Sequence, residues 1–224
     1  GLKLLGYMYD PETGRMGTAL EGLQMSKGIT FPALSSGVPI NDDGTLLDPN
    51  EEVPRGALFT GNLNADVKPF GEMDTTATPP FVPGTIILGT TKIDDITDVD
   101  GKSAVARDTT FSVYDELGGI HEVRLAFVKI EANTYDVCIV DKNGTITEKA
   151  ENPIKFDSAG NIVDGQEMTI VRKGINGTGT PPLLENGARQ FGCKVDFSKL
   201  TQFANESDAS ATNVRGYKQG ALDE

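Results

Sequence analysis

The chain has 224 residues, 33 acidic and 20 basic side chains, a net charge of −13 and no Trp. An acidic surface of that size is repelled by nucleic acid and by anionic lipid, so neither is expected as a partner. No apolar run reaches the roughly 20 residues a membrane-spanning helix needs, and no charged-then-apolar signal sequence is legible. With 26 Gly and 12 Pro the chain is punctuated by turns, which favours short strands over long helices.

In chain order, residues 1–7 read as a short apolar strand and Asp10-Pro11-Glu12-Thr13-Gly14 as a turn, because Pro fixes φ and Gly accepts positive φ. Gly28-Ile29-Thr30-Phe31-Pro32 is one extended run. Residues 41–56 form a loop carrying Asp42, Asp43, Asp48, Glu51 and Glu52. These acids lack the alternate spacing, central glycine and closing glutamate of a calcium loop, so a hydrated acidic loop is expected. Leu58 to Asn64 reads as a strand, a Pro- and Thr-rich stretch follows without clear patterning, and Thr85-Ile86-Ile87-Leu88-Gly89 reads as a short apolar strand. Asp98-Val99-Asp100-Gly101 is a fragment of calcium-loop grammar without its glutamate, and a hydrated turn is the simpler expectation.

Residues 108–142 carry the strongest pattern. Phe111 and Val113 alternate with Thr110, Ser112 and Tyr114, Glu116-Leu117-Gly118-Gly119 interrupts, and Val123, Leu125 and Phe127 alternate with Glu122, Arg124 and Ala126. After Glu131-Ala132-Asn133, Tyr135, Val137 and Ile139 fall on one face and Asp136, Cys138 and Val140 on the other. Period-two runs joined by such short connections predict an antiparallel three-stranded meander, since a parallel return needs a dozen residues or more. Asn143-Gly144 then signals a type I′ hairpin turn. Phe156-Asp157 and Ile162-Val163 flank a second tight turn, and Met168 to Val171 is another strand. Gly174 to Pro182 is loop, whose glycines are no dinucleotide fingerprint because prolines stand where a helix would begin. Phe191, Cys193, Val195 and Phe197 mark the last clear strand.

Several of these stretches resemble one family. Thr109-Thr110-Phe111-Ser112-Val113-Tyr114-Asp115-Glu116-Leu117-Gly118-Gly119-Ile120-His121, Leu125-Ala126-Phe127-Val128-Lys129 and Asn133-Thr134-Tyr135-Asp136-Val137 are similar to the central domain of bacterial flagellar hook proteins, departing at Gly119 (usually Asn) and Tyr135 (usually Trp). The likeness extends to Gly61-Asn62-Leu63, Phe156-Asp157-Ser158-Ala159-Gly160-Asn161-Ile162-Val163, Asp196-Phe197-Ser198-Lys199-Leu200-Thr201-Gln202-Phe203-Ala204 and Gly216-Tyr217, where Arg215 replaces the family's Asp or Asn. Residues 1–7 also resemble a family segment that lies well inside the full-length protein.

The resemblance implies an all-β chain: an antiparallel β-barrel or sandwich central domain, residues 57–200, inserted into a discontinuous inner β domain of residues 1–56 and 201–224. It implies terminal segments flanking the chain on both sides, and without them a monomer is expected. It further implies a structural subunit that polymerises with copies of itself into a curved tube, a flexible joint passing torque from motor to filament. Hook cap, rod and hook-filament junction proteins are the implied partners. The implied place is outside the cell in the flagellar hook, reached without a cleaved signal peptide.

The residues themselves argue for little chemistry. One histidine, His121, and no Ser-His-Asp, Cys-His, zinc-hydrolase or phosphate-loop motif remove the common catalytic designs, so no enzyme, catalytic residue, metal or cofactor is expected. His121 is expected to pack on its turn or face solvent. Cys138 and Cys193 lack metal-ligand spacing and sit in alternating runs, as small buried side chains do; a disulfide between them or an intermolecular link are the alternatives. An extracellular carbohydrate-binding or adhesin-like sandwich is the alternative function.

Overall fold

The computed structural model describes residues 5–10, 15–22, 30–41, 43–174 and 183–221. The turn expected at residues 11–14 and the loop residues 175–182 lie outside them. In chain order the strands are β1 (Leu5–Asp10), β2 (Arg15–Gly22), β3 (Thr30–Phe31), β4 (Val38–Pro39), β5 (Arg55–Asn64), β6 (Gly71–Met73), β7 (Phe81–Pro83), β8 (Val105–Tyr114) and β9 (Ile120–Glu131). There follow β10 (Thr134–Val140), β11 (Ile146–Lys149), β12 (Ile154–Phe156), β13 (Ile162–Asp164), β14 (Glu167–Arg172), β15 (Phe191–Phe203), β16 (Ser210–Val214) and β17 (Gly220–Ala221). One helical turn, Ile93–Asp95, is the only helix among the described residues.

Two β-rich units divide the chain, one discontinuous. The smaller comprises Gly1–Pro32 and Gln219–Glu224, the larger Ala33–Lys218. In the smaller, β1 pairs antiparallel with β2, and β17 pairs with β3 through Gly220↔Phe31 and Ala221↔Thr30, so the unit's two sequence segments share a ladder. The borders expected at 56/57 and 200/201 fall within β5 and β15, two continuous strands of the larger unit.

The larger unit is built on a sandwich of two sheets, with β6 and β7 as a separate antiparallel pair. The first has the order β13-β12-β10-β9-β8 with β11 also on β10. Its centre is the expected meander: β8 to β9 and β9 to β10 are antiparallel, with Phe111↔Val123 and Val137↔Phe127 in register. Every residue of β10 is buried because both faces of this sheet are covered. Tyr135, Val137 and Ile139 face the core between the sheets, whereas Cys138 and Val140 join Ile93, Ile96, Ala104, Ala126, Val128 and Ile146 in a second core on the outer face. Asp136 is tolerated there because Lys149 Nζ lies 3.0 Å from its carboxylate.

The second sheet runs β14-β15-β5-β16, with β4 on β15. Here the antiparallel expectation is corrected: β5 and β15 are parallel, from Lys194↔Arg55 to Phe203↔Asn64. A parallel pair requires a long crossover, and the entire first sheet provides it. Phe59, Phe111, Phe127 and Phe197 meet between the layers, with Phe59 5.3 Å from Phe111 and 5.5 Å from Phe197 in edge-to-face geometry. Such pairs contribute about 0.5–1.5 kcal/mol each beyond the area they bury.

Neither sheet closes, so of the two expected architectures the sandwich holds and the barrel does not. Where closure would need a ladder between β8 and β16, the Arg107 side chain intervenes: its Nε donates to Ala209 O and its Nη1 to Ser207 O. The apolar strand expected at residues 85–89 is also absent. That stretch has no partner strand; it curls into a turn in which Ile87 N–H donates to Thr91 Oγ1, leaving Ile87 and Leu88 more than half exposed. The two strands of this region, β6 and β7, lie in the stretch whose patterning is weakest.

Candidate functional site

One five-residue corner is used repeatedly. At Asp98, Asp115, Asp141 and Asp157 the residue's own N–H donates to the carbonyl four positions on, and the glycine three positions on donates back to its carbonyl. Carboxylate oxygen Oδ1 meanwhile accepts the N–H groups two and four residues ahead, at 2.8 to 2.9 Å. The glycines, Gly101, Gly118, Gly144 and Gly160, have φ of 73°, 80°, 82° and 81°, a region costly for other residues. Asn143 has no positive φ, so the type I′ reading is corrected: an Asp-capped turn with only Gly144 left-handed closes this hairpin. Backbone donors to Asp141 and Asp157, led by Thr145 and Asn161, hold both carboxyls below the usual range. At Asp98 one carboxylate oxygen, Oδ1, accepts the Asp100 and Lys102 amides, as expected of a turn.

Asp115 makes its corner into a junction. Its side chain is fully buried, and its second oxygen lies 2.7 Å from His121 Nε2 and 2.6 Å from Asn186 Nδ2. Asn186 belongs to the connection between β14 and β15, so one carboxylate ties the β8–β9 corner to the other sheet's loop. Burial works to raise the Asp115 pKa, but donation from His121, Asn186 and the Gly119 and Leu117 amides outweighs it, and the net shift is downward. Beside it Arg189 forks onto Glu116, with Nε at 2.9 and 3.0 Å from the two oxygens. That bond lowers the Glu116 pKa and raises that of Arg189. Both side chains are partly exposed, so the pair is worth about 1 kcal/mol at most.

The His121–Asp115 pair has the form of two thirds of a catalytic triad. The imidazole, however, packs edge-to-face on Phe191 at 5.7 Å, and among the described residues no hydroxyl is hydrogen-bonded to it. The arrangement clamps a turn, as the turn-packing reading of His121 anticipates.

Other residues of the family-like motifs meet in similar ties. Asn62 Nδ2 donates to the carbonyls of Phe203 and Asn205, and its Oδ1 accepts the Phe203 N–H, so the ends of β5 and β15 are joined. Tyr135 donates through its hydroxyl to Asn64 O at 3.0 Å, and Lys129 Nζ, 5.5 Å from the Tyr135 ring centre, donates to Ala65 O. Burial depresses the Lys129 pKa and raises that of Tyr135. Asn133, left-handed at φ 59°, accepts from Gln202 Nε2, while the Gln202 N–H donates to Gly160 O. Three distant motifs therefore converge on one end of β15.

Cys138 and Cys193 are free and buried in different cores, Cys138 on the outer face of the first sheet and Cys193 between the sheets. This excludes a disulfide between them in the folded chain. Burial pushes both thiols up to about 12. In the acidic loop Asp43 and Asp48 accept N–H groups of Thr45 and Asn50 two residues on. The Asp115 junction is not apparent from sequence inspection of single residues, although the recurring Asp-x-x-Gly spacing foreshadows its turn.

Comparison with known proteins agrees with this architectural reading. The flagellar hook protein FlgE of Salmonella typhimurium and that of Salmonella typhi are each 30% identical over 117 residues, 50% of this chain. The match spans 27% of those relatives' length. The family described as flagellar basal body protein FlaE D2 domain matches residues 83–217, well over half of the chain, and the chain belongs to that family.

Proposed function

We propose that this chain is a structural part of a flagellar hook subunit, built to stack with copies of itself and not to catalyse. The observation that carries the reading is how the family-like motifs are used. Asp115, Lys129, Tyr135 and Asn62 spend their polar groups, and Gln202 its amide nitrogen, on tying strands and turns to one another. Side chains consumed in this way make a stiff body, and a polymer that bends while carrying load needs subunits that stay rigid as their contacts shift. We assign the unit Ala33–Lys218 to the central hook domain and the discontinuous smaller unit to the inner one. The subunit acts outside the cell in a curved tube that passes torque from motor to filament, with cap, rod and junction proteins as neighbours. Head-to-tail contacts build such a tube without a two-fold interface.

The test is genetic and microscopic. Deleting the parent gene should abolish hooks and swimming, and the purified full-length protein should form tubes visible by electron microscopy. A full-length protein that stays monomeric, in cells that swim without the gene, refutes the assignment; binding on a glycan array would favour a carbohydrate-binding module instead.

A further inference from the structure

Met168, Ile170 and Arg172 occupy successive inward positions on β14. The first two are buried in the core between the sheets, and Arg172 takes the last place, paired across the ladder with Phe191. Its stem thus leaves the apolar core at the end of the sandwich, where a cavity of about 540 Å³ opens, lined also by Lys173, His121, Asn186 and Glu185.

What distinguishes Arg172 is that no acceptor among the described residues meets it. Of the arginines in the larger unit, Arg55, Arg124 and Arg189 pair with carboxylates, and Arg107 and Arg215 donate to carbonyls. Among the described residues Arg172 alone has neither, although it is only partly accessible. Glu148 acts on it from a distance without forming an ion pair, and burial weakens its hold on its proton. A guanidinium carries five N–H donors in a rigid fork, and shielding them without an acceptor is costly. Carboxylate and phosphate oxygens match that fork in pairs. Lys173 adds a second positive charge at the mouth, against the single negative charge of Glu185 among the described lining residues.

We propose that this cavity is an oxyanion site, with Arg172 as the gripping residue and Lys173 as the attracting one. The ligand is a carboxylate or phosphate group. Two sources present that chemistry: a free ion, or an acidic side chain of a second copy, of which a chain with 33 acids has many.

The experiment uses the whole 224-residue chain, isotope-labelled, and follows by NMR the Arg172 Nε–H signal and the imidazole of His121, the single histidine. Sodium phosphate is titrated into dilute protein at constant ionic strength. Saturable shifts of both signals are expected in the parent; the affinity should be at least tenfold weaker in Arg172→Gln, read there from His121 alone, and also weakened in Lys173→Gln, whose site is exposed enough to spare the fold. Lys155→Gln, on β12, should bind as the parent does. Shifts that grow without saturating, or that are the same in Arg172→Gln and Lys173→Gln as in the parent, overturn the proposal. In a second arm phosphate-free protein is concentrated. Movement of the same two signals, reversed by phosphate, assigns the ligand to a second copy; independence of concentration alongside saturable phosphate binding assigns it to the free ion.

Discussion

Replacing Asp115 tests whether the junction between the sheets holds the sandwich together. The carboxylate accepts four hydrogen bonds: Leu117 and Gly119 amides at 2.9 and 2.8 Å, His121 at 2.7 Å and Asn186 at 2.6 Å. Bonds to a charged acceptor contribute about 1.5–3 kcal/mol each, but the turn amides regain water when the carboxylate is removed. Counting chiefly the His121 and Asn186 bonds, Asp115→Ala should cost about 3–4 kcal/mol, a large part of a typical 5–15 kcal/mol stability. Asp115→Asn keeps an oxygen for the amides but sets an NH₂ against two donors, and should cost about 2–3 kcal/mol. Asp157→Ala is the internal control: its corner has the same backbone frame, without side-chain ties to another sheet. It should destabilise less than either Asp115 variant. The measurement is urea unfolding of the chain read by hydrogen exchange at β8 and β9 amides, so that the transition belongs to the larger unit. If Asp115→Ala costs no more than Asp157→Ala, the junction does not hold the sheets and the reasoning fails.

The same group sets an acid limb. Its folded pKa lies below the unfolded value, so its contribution is complete above about pH 4 and disappears as pH falls through the lower, folded value. Urea midpoints of the parent should therefore drop on acidification below about pH 4, and those of Asp115→Asn should drop less steeply. Gly160→Ala should be distinctly worse than Gly187→Ala: both glycines are left-handed, at 81° and 86°, but a Cβ at Gly160 would sit 2.4 Å from Gln202 O and one at Gly187 meets nothing. The left-handed term costs about 1–2 kcal/mol in each, and thermal melts should show the additional clash at Gly160. Tyr135→Phe should lose about 1 kcal/mol, the hydroxyl's bond to Asn64 O, in the same unfolding assay. Both cysteines, buried and with pKa near 12, should react with a thiol reagent only as the larger unit unfolds; fast labelling of native protein would contradict their burial.

Alternation at Phe111, Val113, Val123, Leu125 and Phe127, with short connections, was sufficient to specify the meander, because period-two burial and a tight turn leave only antiparallel pairing. The places of the turns were also legible in their glycines, but not their type: at Asn143-Gly144 the Asp141 carboxylate caps amides within its own five residues and only Gly144 is left-handed. Residues 85–89 show where local reading stops: an apolar run has no strand partner written into it, and Ile87 and Leu88 end exposed. Likewise nothing near Asp115 announces Asn186, and nothing near Arg55 announces the parallel pairing with Lys194. The sequence by itself determined an all-β chain, its central meander and the places of its turns, because those depend on neighbours within a few residues. Only the tertiary structure decided that the sheets stay open, that β5 and β15 run parallel, that the two cysteines lie in separate cores and that Arg172 faces a cavity. Each of these depends on contacts between segments far apart in the chain, whose closure no local spacing records.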